Sequence, residues 1–370
     1  MKNFCFTLIL TIILASSCSK SNSELNENPS SYKSKDITTI TLANNQIYQI
    51  DILNSGSNII TTNLTESLGV ENGYKTLATG SDFITFFKMP FGVPNNYYVY
   101  QKNIINSTTK VGSFNCTLDN DEMLNMPTRS EKKLIEFTGK WNGDFPFNFV
   151  RTYDLATGDC TLITLHAGQL YGSQNIFVDG EILYATYRNE QNKYEIDKIN
   201  LNTGQLENQL EFDSNFFVTV GNNKLHVFLY DNNIHETYNT SDFQLFKSGS
   251  FNLLHQPGFF KSSFNENEMY IDLPYTQPNI FLMRPVTIDL ANGNKIKDSD
   301  FGSLSQKLSE KLNVSPITFT KYVVDVKNNL IISGFHSPDP KINGIVYTNF
   351  NADILKIVEL DYTPGEIIIR

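Results

Sequence analysis

The sequence predicts an all-β domain, a β-propeller of seven four-stranded blades, and three features predict it. A strand-turn-strand unit recurs along the chain at a mean spacing of about 50 residues, the period of propeller blades. The composition favours strands, with 27 Phe and 18 Tyr beside abundant Ile, Val and Thr. The last residues form an apolar run that supplies a strand the first blade lacks.

The unit is clearest in its turns. Tyr153-Asp154-Leu155-Ala156-Thr157-Gly158, Ile199-Asn200-Leu201-Asn202-Thr203-Gly204 and Ile288-Asp289-Leu290-Ala291-Asn292-Gly293 each carry a strand into a polar turn that ends in Gly. Gly accepts positive φ without a Cβ clash, which suits a tight hairpin. Looser copies begin at Asp51, Ile105, Tyr238 and Phe350. One stretch shows a whole blade, with strands over 174–178, 182–187, 194–201 and 206–212. The last of these is less apolar, as a solvated edge should be. Such four-stranded antiparallel sheets pack around a central channel.

Blade one offers three strands, at 37–42, 47–53 and 58–63, and no inner one. The terminal Pro364-Gly365-Glu366-Ile367-Ile368-Ile369-Arg370 follows the outer strand of blade seven at 354–360, so it is expected to fill that gap and close the ring. One helix is predicted over 303–312, where Leu304, Leu308 and Leu312 share a face and Pro316 lies just beyond.

The three Gly-ended turns, with Leu155, Leu201 and Leu290 each three residues before the Gly, resemble the turn between the third and fourth strands of quinoprotein-like seven-bladed propellers. The resemblance implies architecture and leaves activity open. Quinoprotein repeats carry a regularly placed Trp. Trp141 is the sole Trp of this chain, so no quinone or other cofactor is expected.

The N-terminus reads as a secretory signal over 1–17. Lys2 gives it a basic start, 4–14 is an apolar run, and Ala15-Ser16-Ser17 are small. The apolar run is about 11 residues, short of the roughly 20 that a spanning helix needs. Ala15-Ser16-Ser17-Cys18 resembles a lipobox, which implies cleavage before Cys18 and acylation of that residue. Several chains on one residue would anchor the protein stably, where one would not. Residues 18–36, rich in Ser and Asn, have too little to bury and are expected to form a disordered tether ahead of a 37–370 propeller domain. Ser19 after the Cys resembles the sorting signal of Gram-negative lipoproteins kept at the outer membrane, in the periplasm or at the cell surface.

Composition narrows the partners. Formal net charge is -10, and no basic stretch is present, which argues against nucleic acid. Of four Cys, Cys5 leaves with the signal and Cys18 takes the lipid. Cys116 and Cys160 fall on outer strands of blades two and three. Such strands diverge, so two separate thiols are expected despite an oxidising compartment.

Motifs for chemistry are sparse. The five His form no pair at zinc-binding spacing, and neither a nucleophile elbow nor a phosphate loop is present, so no catalytic or metal residue is assigned. Asp119-Asn120-Asp121-Glu122 reads as a solvated acidic loop. Topology supplies one further inference. Connections from second to third strand, and from each blade to the next, share one face of a propeller. That face gathers Trp141, Arg188, Tyr275 and His336, with Phe91, Pro94, Phe145, His166, Tyr171, His255, Pro278 and the 303–312 helix around them. Aromatic and Arg side chains are common binding anchors, and the four named first are the candidate ligand-binding residues. Two functions fit: a lipoprotein scaffold that binds a ligand or protein partner, or a lactonase-like propeller hydrolase with a metal in its channel. The missing acid or His cluster favours the first.

Overall fold

The computed structural model describes residues 35–53, 56–70, 74–79, 83–87, 97–114, 122–141, 146–169, 175–251, 263–275, 281 and 283–370. It is a ring of seven four-stranded antiparallel blades. Blade one contains β1 (Ile37–Ala43), β2 (Gln46–Leu53) and β3 (Asn58–Asn63). Blade two is β4 (Lys75–Thr79), β5 (Phe83–Phe87), β6 (Tyr97–Asn103) and β7 (Thr109–Phe114). Blade three is β8 (Glu122–Arg129), β9 (Lys133–Trp141), β10 (Pro146–Asp154) and β11 (Cys160–Gln169). Blade four is β12 (Asn175–Asp179), β13 (Ile182–Asn189), β14 (Tyr194–Asn200) and β15 (Gln205–Phe212). Blade five is β16 (Phe216–Gly221), β17 (Lys224–Leu229), β18 (Ile234–Asn239) and β19 (Leu245–Ser250). Blade six is β20 (Phe264–Asn265), β21 (Glu268–Pro274), β22 (Met283–Asp289) and β23 (Lys295–Asp298). Blade seven is β24 (Thr318–Asp325), β25 (Leu330–His336), β26 (Asn343–Thr348) and β27 (Ile354–Leu360).

The C-terminal strand β28 (Glu366–Ile369) completes blade one. It pairs antiparallel with β1, Ile37 opposite Ile369 and Ile40 opposite Glu366. Ile367 and Ile368 are buried there, and Arg370 secures the join, its Nε donating to Thr38 Oγ1 at 2.9 Å while its guanidinium pairs with Asp51. The expected closure is therefore the observed one.

The turns repeat one device. Asn103, Asp154, Asn200, Asp289 and Asn349 each accept backbone N–H groups from the two to four residues that follow. Four positions after the first four of these, Ser107, Gly158, Gly204 and Gly293 take positive φ. Phe243 fills the same position after Asn239, at φ 58°, because its ring packs between blades four and five near Tyr184.

Packing runs between blades. Strand alternation sends Leu225, Val227 and Leu229 of β17 toward blade four and Phe228 toward blade six. Middle strands are thus covered on both faces, and each fully buried aliphatic side chain contributes about 1.5–3 kcal/mol. The helix α1 (Leu64–Leu68) links blades one and two, and α2 (Phe301–Leu312) links blades six and seven. In α2, Asp300 caps the start, Phe301, Leu304 and Leu308 face the core, and Asn313 ends it in the left-handed region. Among the described residues no helix is long and apolar enough to cross a membrane.

One expectation fails. Cys160 is disulfide-bonded, where separate thiols were expected; the other three Cys lie outside the described residues. Outer strands diverge along their length, but the turn ends of neighbouring blades are drawn together. Cys160 opens β11 just after the turn at 154–159, and Lys110 of blade two donates to the Leu155 carbonyl in that turn. The turn therefore lies against the neighbouring blade.

Candidate functional site

Antiparallel blades place their connections on two faces. Turns from first to second and from third to fourth strand lie on one, the turn face. Links from second to third strand and on to the next blade lie on the other, the loop face. Arg188, Tyr275 and His336 all end strands at, or begin links on, the loop face. Each is engaged within its own part of the ring. Arg188 Nε donates to the Asn192 carbonyl at 3.2 Å, and its guanidinium sits 5.3 Å over the Tyr194 ring. Tyr275 is 9% exposed; its hydroxyl accepts the Phe301 N–H at 2.7 Å and lies 3.3 Å from Asp300 Oδ1, so it secures the start of α2. His336 Nε2 lies 2.7 Å from Thr318 Oγ1. Trp141 ends β9 with its backbone opposite Pro146, and its side chain is outside the described residues. Phe91, Pro94, Phe145, Tyr171, His255, Pro278 and 119–121 of the acidic run also lie outside them.

A more tightly built group lies below that face, between blades three and four. The end of β11 pairs with β13, Gly168 opposite Asn189 and Gln169 opposite Arg188, and joins the two blades into one sheet. Beside this bridge, β14 turns Glu195 and Asp197 to the same side as Ile199, toward blade three. Glu195 Oε1 lies 2.7 Å from His166 Nδ1 and accepts from the Tyr187 hydroxyl at 2.8 Å. The same hydroxyl is 2.7 Å from Asp197 Oδ2. Asn189 Nδ2 donates to Glu195 Oε2 at 3.0 Å and to Glu211 Oε1 at 2.8 Å. Both central acids are fully buried at 0% exposure, while the His166 side chain is 56% exposed.

The electrostatics follow from that placement. The hydrogen bond to Glu195 holds the His166 imidazole above its ordinary range, against a smaller opposing effect of burial. Burial pushes the Asp197 carboxyl up to about 7; the Tyr187 hydroxyl pulls the other way, and the nearby Glu195 charge adds to the rise. Burial, then the two carboxylates, push the Tyr187 hydroxyl up. Chemically, the group fixes His166 through Nδ1 and leaves Nε2 as the ring nitrogen free to meet solvent or a ligand. Among the described residues no three His, Cys, Asp or Glu are grouped as metal ligands.

His166 lies toward the loop face, as its place in the chain predicts, and its partners come from three other strands, β13, β14 and β15. The signal was present in Tyr194-Glu195-Ile196-Asp197-Lys198-Ile199. On a half-exposed strand such alternation sends acids to water. On the third strand of a blade both sides are covered, so Glu195 and Asp197 are necessarily inside.

No family model and no curated protein matches the chain. Solved structures match in fold. A Bacteroides fragilis protein named for 6-phosphogluconolactonase aligns over 93% of this chain and 100% of its own, at 10% identity and a TM-score of 0.50. BamB from Moraxella catarrhalis aligns over 88% of each chain, at 10% identity and a TM-score of 0.42. A prolyl endopeptidase aligns over 91% of this chain and 49% of its own, at 7% identity and a TM-score of 0.45. At such identities the likeness concerns fold alone. The chain is a seven-bladed β-propeller.

Proposed function

We propose that the protein is a lipid-anchored binding propeller of the outer membrane, in which Cys18 carries the lipid, 19–34 is the tether and the loop face holds a ligand or protein partner. The observation that carries this reading is the asymmetry of the ring. Turn-face connections are short, such as 180–181, 222–223 and 104–108. Loop-face connections include 64–74, 88–96, 251–263, 275–282 and 299–317. Long connections on one side of a rigid scaffold are where binding residues accumulate. Arg188 and His336 sit at the rim of that side, and Tyr275 supports it by holding α2 in place.

Site-specific photo-crosslinking in cells tests the binding half of the proposal. A photoreactive residue at Arg188 or His336 should yield a discrete adduct, and one at Asn202 or Asn292 on the turn face should not. Adducts formed from the turn face alone, or from neither face, would overturn it.

A further inference from the structure

The seam between blades three and four carries two acids and too few hydrogens for both. Tyr187 has one hydroxyl hydrogen and stands between Glu195 and Asp197. Asn189 serves the second oxygen of Glu195. Asp197 Oδ1 is buried without a partner. The titratable groups that face the pair are His166 from β11, Tyr187 from β13 and Glu211 from β15. The nearby cations are committed elsewhere: Lys193 pairs with Asp213, and Arg188 stacks on Tyr194. Other buried acids are differently provided for. Asp51 meets Arg370, and Asp272, alone between blades six and seven, accepts from the hydroxyls of both Tyr270 and Tyr322. Among the described residues, the blade three to four seam alone brings two buried carboxylates together without a Lys or Arg.

We propose that this seam is a proton-operated latch: a proton shared by Glu195 and Asp197, with a second on His166, locks the outer strand of blade three to blade four, and their release to water loosens the Gly168–Asn189 and Gln169–Arg188 pairing. A buried carboxylate that is ionised and unpaired is costly, and the least costly relief is local opening that admits water. His166 marks the path, since it is the exposed member of the group. Opening there also frees the strand end that carries Arg188, so the latch sets the geometry of the loop face at blades three and four.

The sign follows from the two shifts. Asp197 and His166 are both raised above their ordinary values, so each stabilises the closed seam fully below its unfolded value and loses that effect as pH rises through its folded one. For Asp197 the window runs from about 4 to about 7.

Hydrogen exchange followed by mass spectrometry on the full mature protein tests the latch, with rates divided by the intrinsic rate at each pH. Amides of 166–169 and 187–189 should lose protection by about tenfold or more between roughly pH 5 and roughly pH 8. Those of β26 should hold steady. Asp197→Asn, which keeps the shape of the protonated acid, should lose clearly less protection than the wild type over that range, the remainder being the His166 share, and Glu195→Gln should likewise lose less if the first variant fails to fold. Seam protection that is constant with pH in the wild type, or that falls equally in the variants, would overturn the proposal. The measurement needs no partner, so its outcome is independent of whether the loop face binds one.

Discussion

His226 and His235 are two neutral imidazoles held edge to edge inside the ring. His226 Nδ1 lies 3.1 Å from His235 Nε2, with ring centroids 5.3 Å apart and planes 22° apart. That separation is the in-line geometry of one N–H···N bond. His235 also stacks on Phe228 at 4.3 Å. Burial holds His226 down to about 4, and burial with its neighbour's charge holds His235 down to about 3. Groups depressed in this way contribute stability above their unfolded value, near 6.5, and lose it as pH falls through the folded ones. Unfolding free energy should therefore drop by several kcal/mol as pH falls from about 6.5 to about 3. The seam at Asp197 has the opposite sign over an overlapping window, from about 4 to about 7, so it offsets part of the rise that the two histidines give, and stability should peak near the upper end of both windows. Urea midpoints measured against pH check this: His235→Gln should flatten the acid limb and leave the limb toward neutrality in place. An unchanged acid limb would place its origin elsewhere. Sequence spacing could not show this pair. The two His are nine residues apart and meet only through the β17–β18 register, which sets His226 beside Thr237 and Phe228 beside His235.

At the scale of elements, strands and turns were legible because their causes are local. Period-two patterning and an Asx residue ahead of a Gly fix a hairpin wherever they occur, which is why the blade at 175–212 and the helix at 301–312 fall within a few residues of their expected bounds. Contacts between elements were not legible. Lys133, Lys198, Lys247 and Lys307 each donate to a turn carbonyl of the next blade, at Leu201, Ser241, Ala291 and Ala352. They come from a second strand, a third strand, an outer strand and a helix, so no linear motif relates them. The buried acids of β14 were hidden for a related reason, since alternation alone does not say that both faces of a strand are covered. The closing strand β28 was legible by counting. Its removal tests the count: deleting 364–370 takes away Ile367 and Ile368, at about 1.5–3 kcal/mol each, together with the Arg370 partner of Asp51. The truncated chain should unfold at a clearly lower denaturant midpoint, and an unchanged midpoint would show that β28 does not hold the ring.

At the scale of the molecule, the ring is a rigid frame with two unlike faces. The first described residues are tied into it, since the Tyr347 hydroxyl donates to the Lys35 carbonyl and Lys35 pairs with Asp325 beside the turn between β24 and β25. The first described residues therefore enter the domain at the turn face. The most direct measurement is fatty-acid analogue labelling combined with membrane fractionation of the wild type and Cys18→Ser. The account predicts a labelled, processed wild-type protein in the outer-membrane fraction and an unlabelled, unprocessed variant. A Cys18→Ser protein that is labelled and processed like the wild type would contradict it.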